Sequence, residues 1–264
     1  MNSGQDSHIH YRHFVFQASK EHLHQLLLEL SISSMNEREL ILYRDEDILA
    51  LNKPSRCVAH RQKRDDLQED ARELAERLAR VRPGSLRAIN RLDADTTGIM
   101  LFASNKRAAR HYSSLFASRK VRKQYLAIVW GSAPECFEIR GSIKACSKRS
   151  FVVKDGGKAA LSKVTAIEEL RSKDDKDLSF CKVDLQTGRK HQIRAHLSSQ
   201  NLPIVGDKLY GGDDYLEGFG PVEHPLLHAY HLALPQKGGR RLVIEARLPK
   251  HFGDILVFLR QKRK

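Results

Sequence analysis

Two short apolar runs separated by a charged turn begin the regularly patterned part of the chain. Residues 41–43 and 48–51 flank the charged residues 44–47, a pattern that predicts two strands joined by a turn. Pro54 ends the second strand, because proline cannot continue a hydrogen-bonded ladder. Residues 1–40 have a polar start followed by leucines at helical spacing. We therefore expect an N-terminal extension with one short helix, and a principal domain over residues 41–264.

The middle of the chain alternates between helical and strand-like periods. Apolar steps of four and three predict a helix over residues 67–81, and Asn105 is a suitable N-terminal cap for a helix over residues 106–118. The continuous apolar run 98–103 predicts a strand buried on both faces. Further segments predict strands at 124–131, 137–143, 151–154, 159–170, 178–185 and 242–246, a helix ending near residue 201 and a last helix over 252–261.

The charge balance indicates a polyanionic partner. The chain has 46 Lys and Arg against 32 Asp and Glu, a formal net charge of +14. Neutralising phosphates releases counterions, so such an excess supplies sequence-independent affinity for nucleic acid. Between residues 106 and 123 there is no acidic residue, and we interpret this stretch as a phosphate-facing surface. Its basic residues are Lys106, Arg107, Arg110, Arg119, Lys120, Arg122 and Lys123, with Tyr112 among them.

Several classes of protein are disfavoured by missing patterns. The apolar runs are too short for a membrane-spanning helix, and the four cysteines form neither a metal nor a disulfide pattern. Phosphate-loop, dinucleotide, zinc-protease and serine-hydrolase motifs are missing, and the 13 histidines lack metal-ligand spacing. We expect a cytoplasmic protein with reduced thiols that uses no metal and no cofactor and has no membrane partner.

A carboxylate, arginines, a tyrosine and a basic surface are left to carry the chemistry. Such a set suits nucleophilic or electrostatic chemistry on a polyanion. Asp93 stands just before a polar turn and the buried strand at 98–103, with Arg91 two positions earlier. Taken alone, these two residues fit a structural ion pair better than an active site.

Six segments taken together resemble one enzyme family. They include Arg91-Leu92-Asp93, Lys123-x-Tyr125, and Thr187-Gly-Arg-x-His-Gln-Ile-Arg194-x-His196. In chain order the six are residues 49–54, 91–103, 123–131, 187–196, 203–211 and 227–229. In this combination they resemble the RluA family of RNA pseudouridine synthases, over roughly residues 41–250.

The resemblance implies a fold and an activity. The fold is α+β, with a central mixed, largely antiparallel sheet, flanking helices and an RNA-binding cleft. The activity is the isomerisation of specific uridines in structured RNA to pseudouridine, without a cofactor. The family acts on ribosomal and transfer RNA, and we favour ribosomal RNA slightly for this chain. We expect it to act as a monomer.

The resemblance also assigns three catalytic residues. Asp93 is the catalytic carboxylate, Arg194 the arginine that pairs with it and favours its ionised form, and Tyr125 the tyrosine that stacks on uracil and serves in proton transfer. The bond from C1′ to N1 must break while the base stays bound, turns and rejoins through C5. A carboxylate can stabilise or trap the sugar, as in a retaining glycosidase. Attack at C1′ and elimination through C2′ both stay open.

Basic residues in and between the motifs are predicted RNA contacts. Arg91 is expected to fill the space left by the flipped target nucleotide. The other predicted contacts are Lys123, Arg189, His191, Arg107, Arg110, Arg119 and Lys120. The chain departs from the family at Asn90, where histidine is usual, and at Ser55-Arg56-Cys57, which replaces a small glycine turn. The first forty residues lack the pattern of the S4 RNA-binding domain that many members carry.

Two alternatives compete with this interpretation. A non-catalytic RNA-binding or RNA-folding protein could keep the same fold, although Asp93, Tyr125 and Arg194 argue against it. A glycosidic hydrolase could use Asp93 with Asp95, but carboxylates two positions apart are poorly placed to flank a substrate.

Overall fold

Strand-forming segments build most of the molecule. The computed structural model describes residues 40–59 and 70–261, all within one compact unit. The N-terminal extension predicted over residues 1–40, with its short helix, lies outside these ranges except for residue 40. Residues 67–69, the start of the helix predicted over 67–81, also lie outside them. No helix in the described ranges is both long and apolar enough to span a membrane.

The described residues contain thirteen strands and four α-helices. The strands are β1 Ile41–Arg44, β2 Ile48–Lys53, β3 Arg87–Ala88, β4 Thr97–Ala103, β5 Arg122–Trp130, β6 Cys136–Ala145, β7 Ser150–Val153, β8 Lys158–Arg171, β9 Asp177–Leu185, β10 Tyr215–Leu216, β11 Gly220–Pro221, β12 Leu227–Pro235 and β13 Arg241–Glu245. The helices are α1 Ala71–Ala79, α2 Lys106–Ala117, α3 Gln192–Ser199 and α4 Lys250–Arg260.

Eleven of these strands form one mixed sheet. Its order is β1-β2-β4-β12-β5-β9-β8-β6-β7, with β13 paired to β12 and β3 paired to β4. Within the described ranges, β4 and β12 form the parallel pair, and the other paired strands are antiparallel. The predicted mixed, largely antiparallel sheet is confirmed.

Strand β4 is buried on both faces because a helix and its neighbours cover each side. Ile99 and Leu101 pack in a cluster with residues of α2 and β12, whereas Met100 and Phe102 pack with α1. Tyr112, which the sequence placed on the basic surface, points into the first of these clusters and is buried. Its ring completes the apolar stripe of α2. The prediction that Tyr112 belongs to the phosphate-facing surface is therefore wrong.

Helix α2 begins after its predicted cap, Asn105, whereas the starts of the other helices differ from the prediction; α4 begins at Lys250, two residues earlier than predicted. The Asn105 side chain accepts a hydrogen bond from the backbone N–H of Ala108 at 2.8 Å, which fixes the start of α2. Helix α1 starts later than predicted, where the Asp70 side chain caps it, and ends at Ala79. Helix α3 starts at Gln192, because His191 adopts a left-handed conformation with φ 52° instead of joining the helix.

Strand β12 was not predicted, yet it joins the two halves of the sheet. It pairs with β4 on one side and with β5 on the other. Gly98 in β4 lies opposite Ala229 in β12, with φ +109°, and a Cβ atom there would stand 2.2 Å from the Ala229 carbonyl oxygen. Glycine at position 98 therefore permits the parallel pairing.

The cysteines form no disulfide in the described ranges. Cys57 and Cys181 are buried, while Cys136 and Cys146 are exposed. Burial raises the pKa of the Cys181 thiol to about 12, so this thiol stays protonated.

We expect Gly98→Ala to lower the free energy of unfolding by roughly 3 kcal/mol or more, because it adds a backbone clash to an unfavourable φ. Gly84→Ala is the matched control, since Gly84 also has positive φ (+79°) but open space around it. The control should cost only about 1 kcal/mol. Urea denaturation measures both changes, and equal losses would contradict the close approach of β4 and β12.

Candidate active site

The loop from residue 89 to 96 presents Asp93 at the start of β4. Asn90 anchors the near end of this loop, since its Nδ2 donates to the Ile99 carbonyl at 3.2 Å and its Oδ1 accepts from the Leu101 N–H at 2.7 Å. At the far end the N–H of Thr96 donates to the carbonyl of Asp93 at 3.1 Å. Asn90, one of the departures from the family pattern, thus supports the loop as an extension of the sheet.

Lys53 fixes the backbone of the same loop from below. Its ammonium is fully buried and donates to three carbonyls: Ala94 at 2.7 Å, Cys57 at 2.7 Å and Pro54 at 2.9 Å. Burial lowers the pKa of Lys53 to about 8, so the ammonium with its three N–H groups is the main form at neutral pH. The residue after Asp93 is therefore bonded to the end of β2.

Tyr125 lies in the same row of the sheet as the end of this loop. Gly98 of β4 stands opposite Ala229 of β12, which in turn stands opposite Tyr125 of β5. Burial raises the pKa of Tyr125, and the nearby charge of Asp93 raises it further, so the hydroxyl stays protonated. Strand β12 is the element that brings Tyr125 and Asp93 together.

Arg194 makes its hydrogen bonds to Asp207. Its Nε and Nη2 donate to the two carboxylate oxygens, both at 2.7 Å, in a bidentate pair whose side chains are 8% and 0% exposed. The remaining Nη1 lies 3.6 Å from Oδ2 of Asp93, which is an ion pair beyond hydrogen-bond distance. The predicted contact of Arg194 with Asp93 is present, and Asp207 is the stronger partner.

Asp207 was missed as a site residue, although it belongs to one of the six segments. Backbone bonds from Trp130 N–H to the Pro203 carbonyl and from Val205 N–H to the Ile128 carbonyl, both at 2.9 Å, attach residues 203–205 to β5. The carboxylate of Asp207 is thereby held under α3. The signal that could have identified Asp207 was Arg194, because a buried arginine needs a carboxylate partner.

His191 and Tyr210 complete the surroundings of Asp93. Nε2 of His191 lies 3.7 Å from Oδ1 of Asp93, and its Nδ1 lies 3.1 Å from the Tyr210 hydroxyl. Burial lowers the pKa of His191 below its usual value, so the ring is neutral at pH 7. The Arg194 guanidinium stacks over the Tyr210 ring at 5.0 Å. His191, predicted as an RNA contact, thus lies beside the carboxylate itself.

Asp95 has a different set of partners from Asp93. Its carboxylate lies 3.6 Å from Nδ1 of His224 and is 44% exposed. His224 Nε2 accepts a hydrogen bond from Arg56 Nε at 3.0 Å, and Arg56 also bonds Glu223 at 2.6 Å. Arg56 has φ 58°, a conformation that favours glycine, which the family usually has in this turn. The departure at residues 55–57 therefore places a cation on the rim of the site.

The other predicted RNA contacts lie mainly on the surface. Arg91, Arg110, Arg119 and Lys120 are exposed, and Arg107 is exposed beside Asp47 at 3.2 Å. Arg189 donates to the Ala159 carbonyl at 3.2 Å. Lys123 is half-buried, and burial together with the charge of Arg119 lowers its pKa. The structure brings His191 to Asp93, and the cations of α2 are exposed.

We expect Asp207→Asn to lower the free energy of unfolding by about 3 kcal/mol, because it leaves the buried Arg194 charge without its ionised partner. Asp254→Asn is the matched control. Asp254 accepts from Lys250 at 2.7 Å in a pair whose side chains are 38% and 57% exposed, and its removal should cost less than about 1 kcal/mol. Urea titration of the three proteins tests the difference, and a neutral Asp207→Asn would show that the pair is dispensable for stability.

The stability of the protein relative to Lys53→Met should rise between about pH 8 and 10.5. The pKa of Lys53 is lowered from 10.5 to about 8 by burial, so in this interval the unfolded chain binds more protons than the folded one. Stability therefore increases with pH, by up to about 3 kcal/mol. Denaturation of both proteins at several pH values measures the difference between their free energies of unfolding. A difference that does not change with pH would mean that the hydrogen bonds of Lys53 to the three carbonyls fully offset the effect of burial on its pKa.

Comparison with known proteins agrees with the motifs. A family model described as RNA pseudouridylate synthase matches residues 47–199. Ribosomal large subunit pseudouridine synthase C of Vibrio cholerae is 32% identical over 227 residues, covering 84% of this chain and 69% of that protein. tRNA pseudouridine synthase C of Haemophilus ducreyi is 32% identical over 220 residues, covering 79% and 83%.

A solved structure shows the same fold. Human RNA Pseudouridylate Synthase Domain Containing 4 superposes with a TM-score of 0.64 at 25% identity, covering 85% of this chain and 95% of that one. The family model spans more than half of the 264 residues, and the two relatives are matched over more than two thirds of their length. The α+β pseudouridine synthase fold is thereby confirmed, and this chain belongs to the RNA pseudouridylate synthase family.

Proposed function

We propose that Asp93 is the catalytic carboxylate of this RNA pseudouridine synthase and that its substrate is a uridine in ribosomal RNA. One observation carries the assignment of Asp93. Its side chain is 23% exposed, and it lies beside two nearly buried side chains, Arg194 and His191, at 3.6 and 3.7 Å. A carboxylate that a substrate can reach, with a buried cation behind it, is preorganised to act on a ribose.

The chemistry requires an ionised carboxylate by either route. In attack at C1′, an Asp93 oxygen forms a bond to the sugar as the bond from C1′ to N1 breaks and its electron pair stays with the base. In elimination, the carboxylate accepts the C2′ proton as the same bond breaks. In both routes the positive charge of Arg194 lies 3.6 Å from the reacting carboxylate. The freed base then turns so that C5 faces C1′. C5 bonds to C1′ as the bond from Asp93 to C1′ breaks or, after elimination, as Asp93 returns its proton to C2′. Loss of the proton from C5 and gain of a proton at N1 complete the isomerisation.

Tyr125 and His191 are proposed to act as neutral groups. Burial keeps the Tyr125 hydroxyl protonated, so the ring offers a stacking surface for uracil and a hydroxyl that can donate. The neutral His191 ring separates Asp93 from Tyr210 without adding a second charge. Arg194 therefore supplies the positive charge closest to Asp93 among the groups described around it.

RNA is proposed to bind through the exposed cations of the predicted surface. Arg91 is exposed and stands two positions before Asp93, and Arg110, Arg119 and Lys120 lie on or just after α2. The net charge of +14 supports this surface as the sequence-independent part of binding. Asp93, Tyr125, Arg194 and Asp207 come from one chain, which supports a monomer.

Ribosomal RNA is our choice of substrate, with transfer RNA as the second candidate. One relative at 32% identity is named a ribosomal large subunit synthase and another at the same identity a tRNA synthase. The absence of disulfides among the four cysteines supports our proposal of a cytoplasmic location. The non-catalytic alternative finds no support in these names.

Asp93→Asn should lower the rate of pseudouridine formation at least about 10³-fold, because it removes the charge but keeps the shape. RNA affinity should stay within about threefold, because phosphate contacts dominate binding. The rate is measured on unmodified ribosomal and transfer RNA transcripts, by chemical mapping of pseudouridine.

Asp95→Asn is the matched control, since it removes the neighbouring carboxylate that contacts His224. It should keep the rate within about threefold. Wild-type activity in Asp93→Asn would refute the role of Asp93, and release of free uracil by the wild-type protein would favour the hydrolase with two carboxylates. If only the tRNA transcripts are modified, transfer RNA replaces ribosomal RNA as the proposed substrate.

A further inference from the structure

A groove beside the active site has features of a nucleobase site. It lies between β7 on one side and α3 with the short 3₁₀ helix Lys208–Tyr210 on the other, with a volume of about 520 Å³. This volume falls within the usual range for small-ligand sites. Tyr210 lines the groove, and its hydroxyl contacts His191 near Asp93. The groove and the catalytic carboxylate are thus separated by two side chains.

The groove is held open by bonds from the active-site segments to the β6–β7 hairpin. The Ser150 N–H donates to the Tyr210 hydroxyl at 2.6 Å, and Arg149 Nη1 donates to the Leu209 carbonyl at 3.4 Å. Lys190 Nζ donates to the Ser147 carbonyl at 2.7 Å, in the turn between the two strands. Because these contacts fix both walls, a ligand would find the groove already formed.

The lining offers a stacking surface and cations. Phe151 is 38% exposed although it is aromatic, and the Arg149 guanidinium lies 4.4 Å from its ring centroid. Leu209 is 37% exposed on the opposite wall, and the Lys208 ammonium, paired with Asp214, is 73% exposed. Aromatic rings and arginine planes are the surfaces on which unpaired RNA bases stack.

Two serine hydroxyls at the groove act as hydrogen-bond acceptors. Ser198 Oγ donates its hydrogen to the Tyr210 carbonyl and Ser199 Oγ donates to the His196 carbonyl, both at 2.7 Å. Ser199 Oγ already accepts from Gln200 Nε2 at 3.3 Å, so the Ser198 oxygen has the more available lone pairs. A ring N–H or an exocyclic amino group of a base could donate to it.

We propose that this groove binds an unpaired base of the substrate RNA that neighbours the target uridine in the folded RNA. The proposal rests on the proposed function, because this base belongs to the RNA whose uridine enters the adjacent site. The shared wall at Tyr210 places the two bases side by side. A base held here contributes to the choice of uridine.

Phe151→Ala should raise both KM and the dissociation constant for RNA about tenfold and leave kcat within twofold, since the ring stacks on a base away from the reacting atoms. The probe is the shortest unmodified ribosomal or transfer RNA stem-loop that the wild-type protein binds. Phe219→Ala is the matched control, because Phe219 has the same 38% exposure and packs against Phe258, away from the groove. It should change neither constant.

RNA probes with a single abasic nucleotide identify the bound base. One abasic position should weaken wild-type binding about tenfold and weaken Phe151→Ala no further, because base and ring lose the same contact.

Unchanged RNA affinity in Phe151→Ala would overturn the proposal, and would leave the groove to a peptide or to no ligand. Additive losses at every abasic position would overturn it as well. Because binding is measured independently of product, a wild-type protein that binds RNA but forms no pseudouridine would refute the proposed function alone.

Discussion

The buried pair of Arg194 and Asp207 is the interaction on which the site depends. A guanidinium in the interior is stable only if its donors are used, and here two of its nitrogens bind both oxygens of one carboxylate. This fixed geometry joins α3 to the segment after residue 203 and leaves Nη1 directed at Asp93. The position of the third nitrogen follows from the other two, because the guanidinium is planar and rigid.

A second buried cation, Lys53, holds the backbone beside Asp93, whereas Arg194 places a positive charge next to the Asp93 carboxylate. Lys53 binds the carbonyl of Ala94, next to Asp93, from the interior of the sheet. Asp93 thus lies between two interior cations, one bonded to the carbonyl of the next residue and one facing its carboxylate. Neither cation needs to move when a substrate arrives, which is the condition for electrostatic stabilisation without reorganisation.

Local signals in the sequence predicted the elements that local interactions decide. The continuous apolar run of β4 and the Asn105 cap of α2 each depend on neighbours in the chain, and both were predicted correctly. Strand β12 could not be predicted in this way, because its partners are far along the chain: His228 bonds Thr97, 131 positions earlier. Tyr112 was misplaced because its charged neighbours masked a single buried position of the helix.

The candidate site residues could be predicted only through the combined motifs. Asp93 with Arg91 resembles an ordinary surface pair, and the family pattern, not the local sequence, distinguished it. Asp207 stayed without a role because its contact with Arg194 depends on how residues 203–205 attach to β5. Such a contact arises from tertiary pairing, which periodicity does not report.

The place of β12 between β4 and β5 has a consequence for synthesis on the ribosome. Both neighbouring strands leave the ribosome well before β12, and the edges that they will present to it stay unpaired in the meantime. The row of Gly98, Ala229 and Tyr125 cannot form until β12 is inserted. A nascent chain therefore keeps its Asp93 carboxylate and its Tyr125 ring apart until residues 227–235 have left the ribosome.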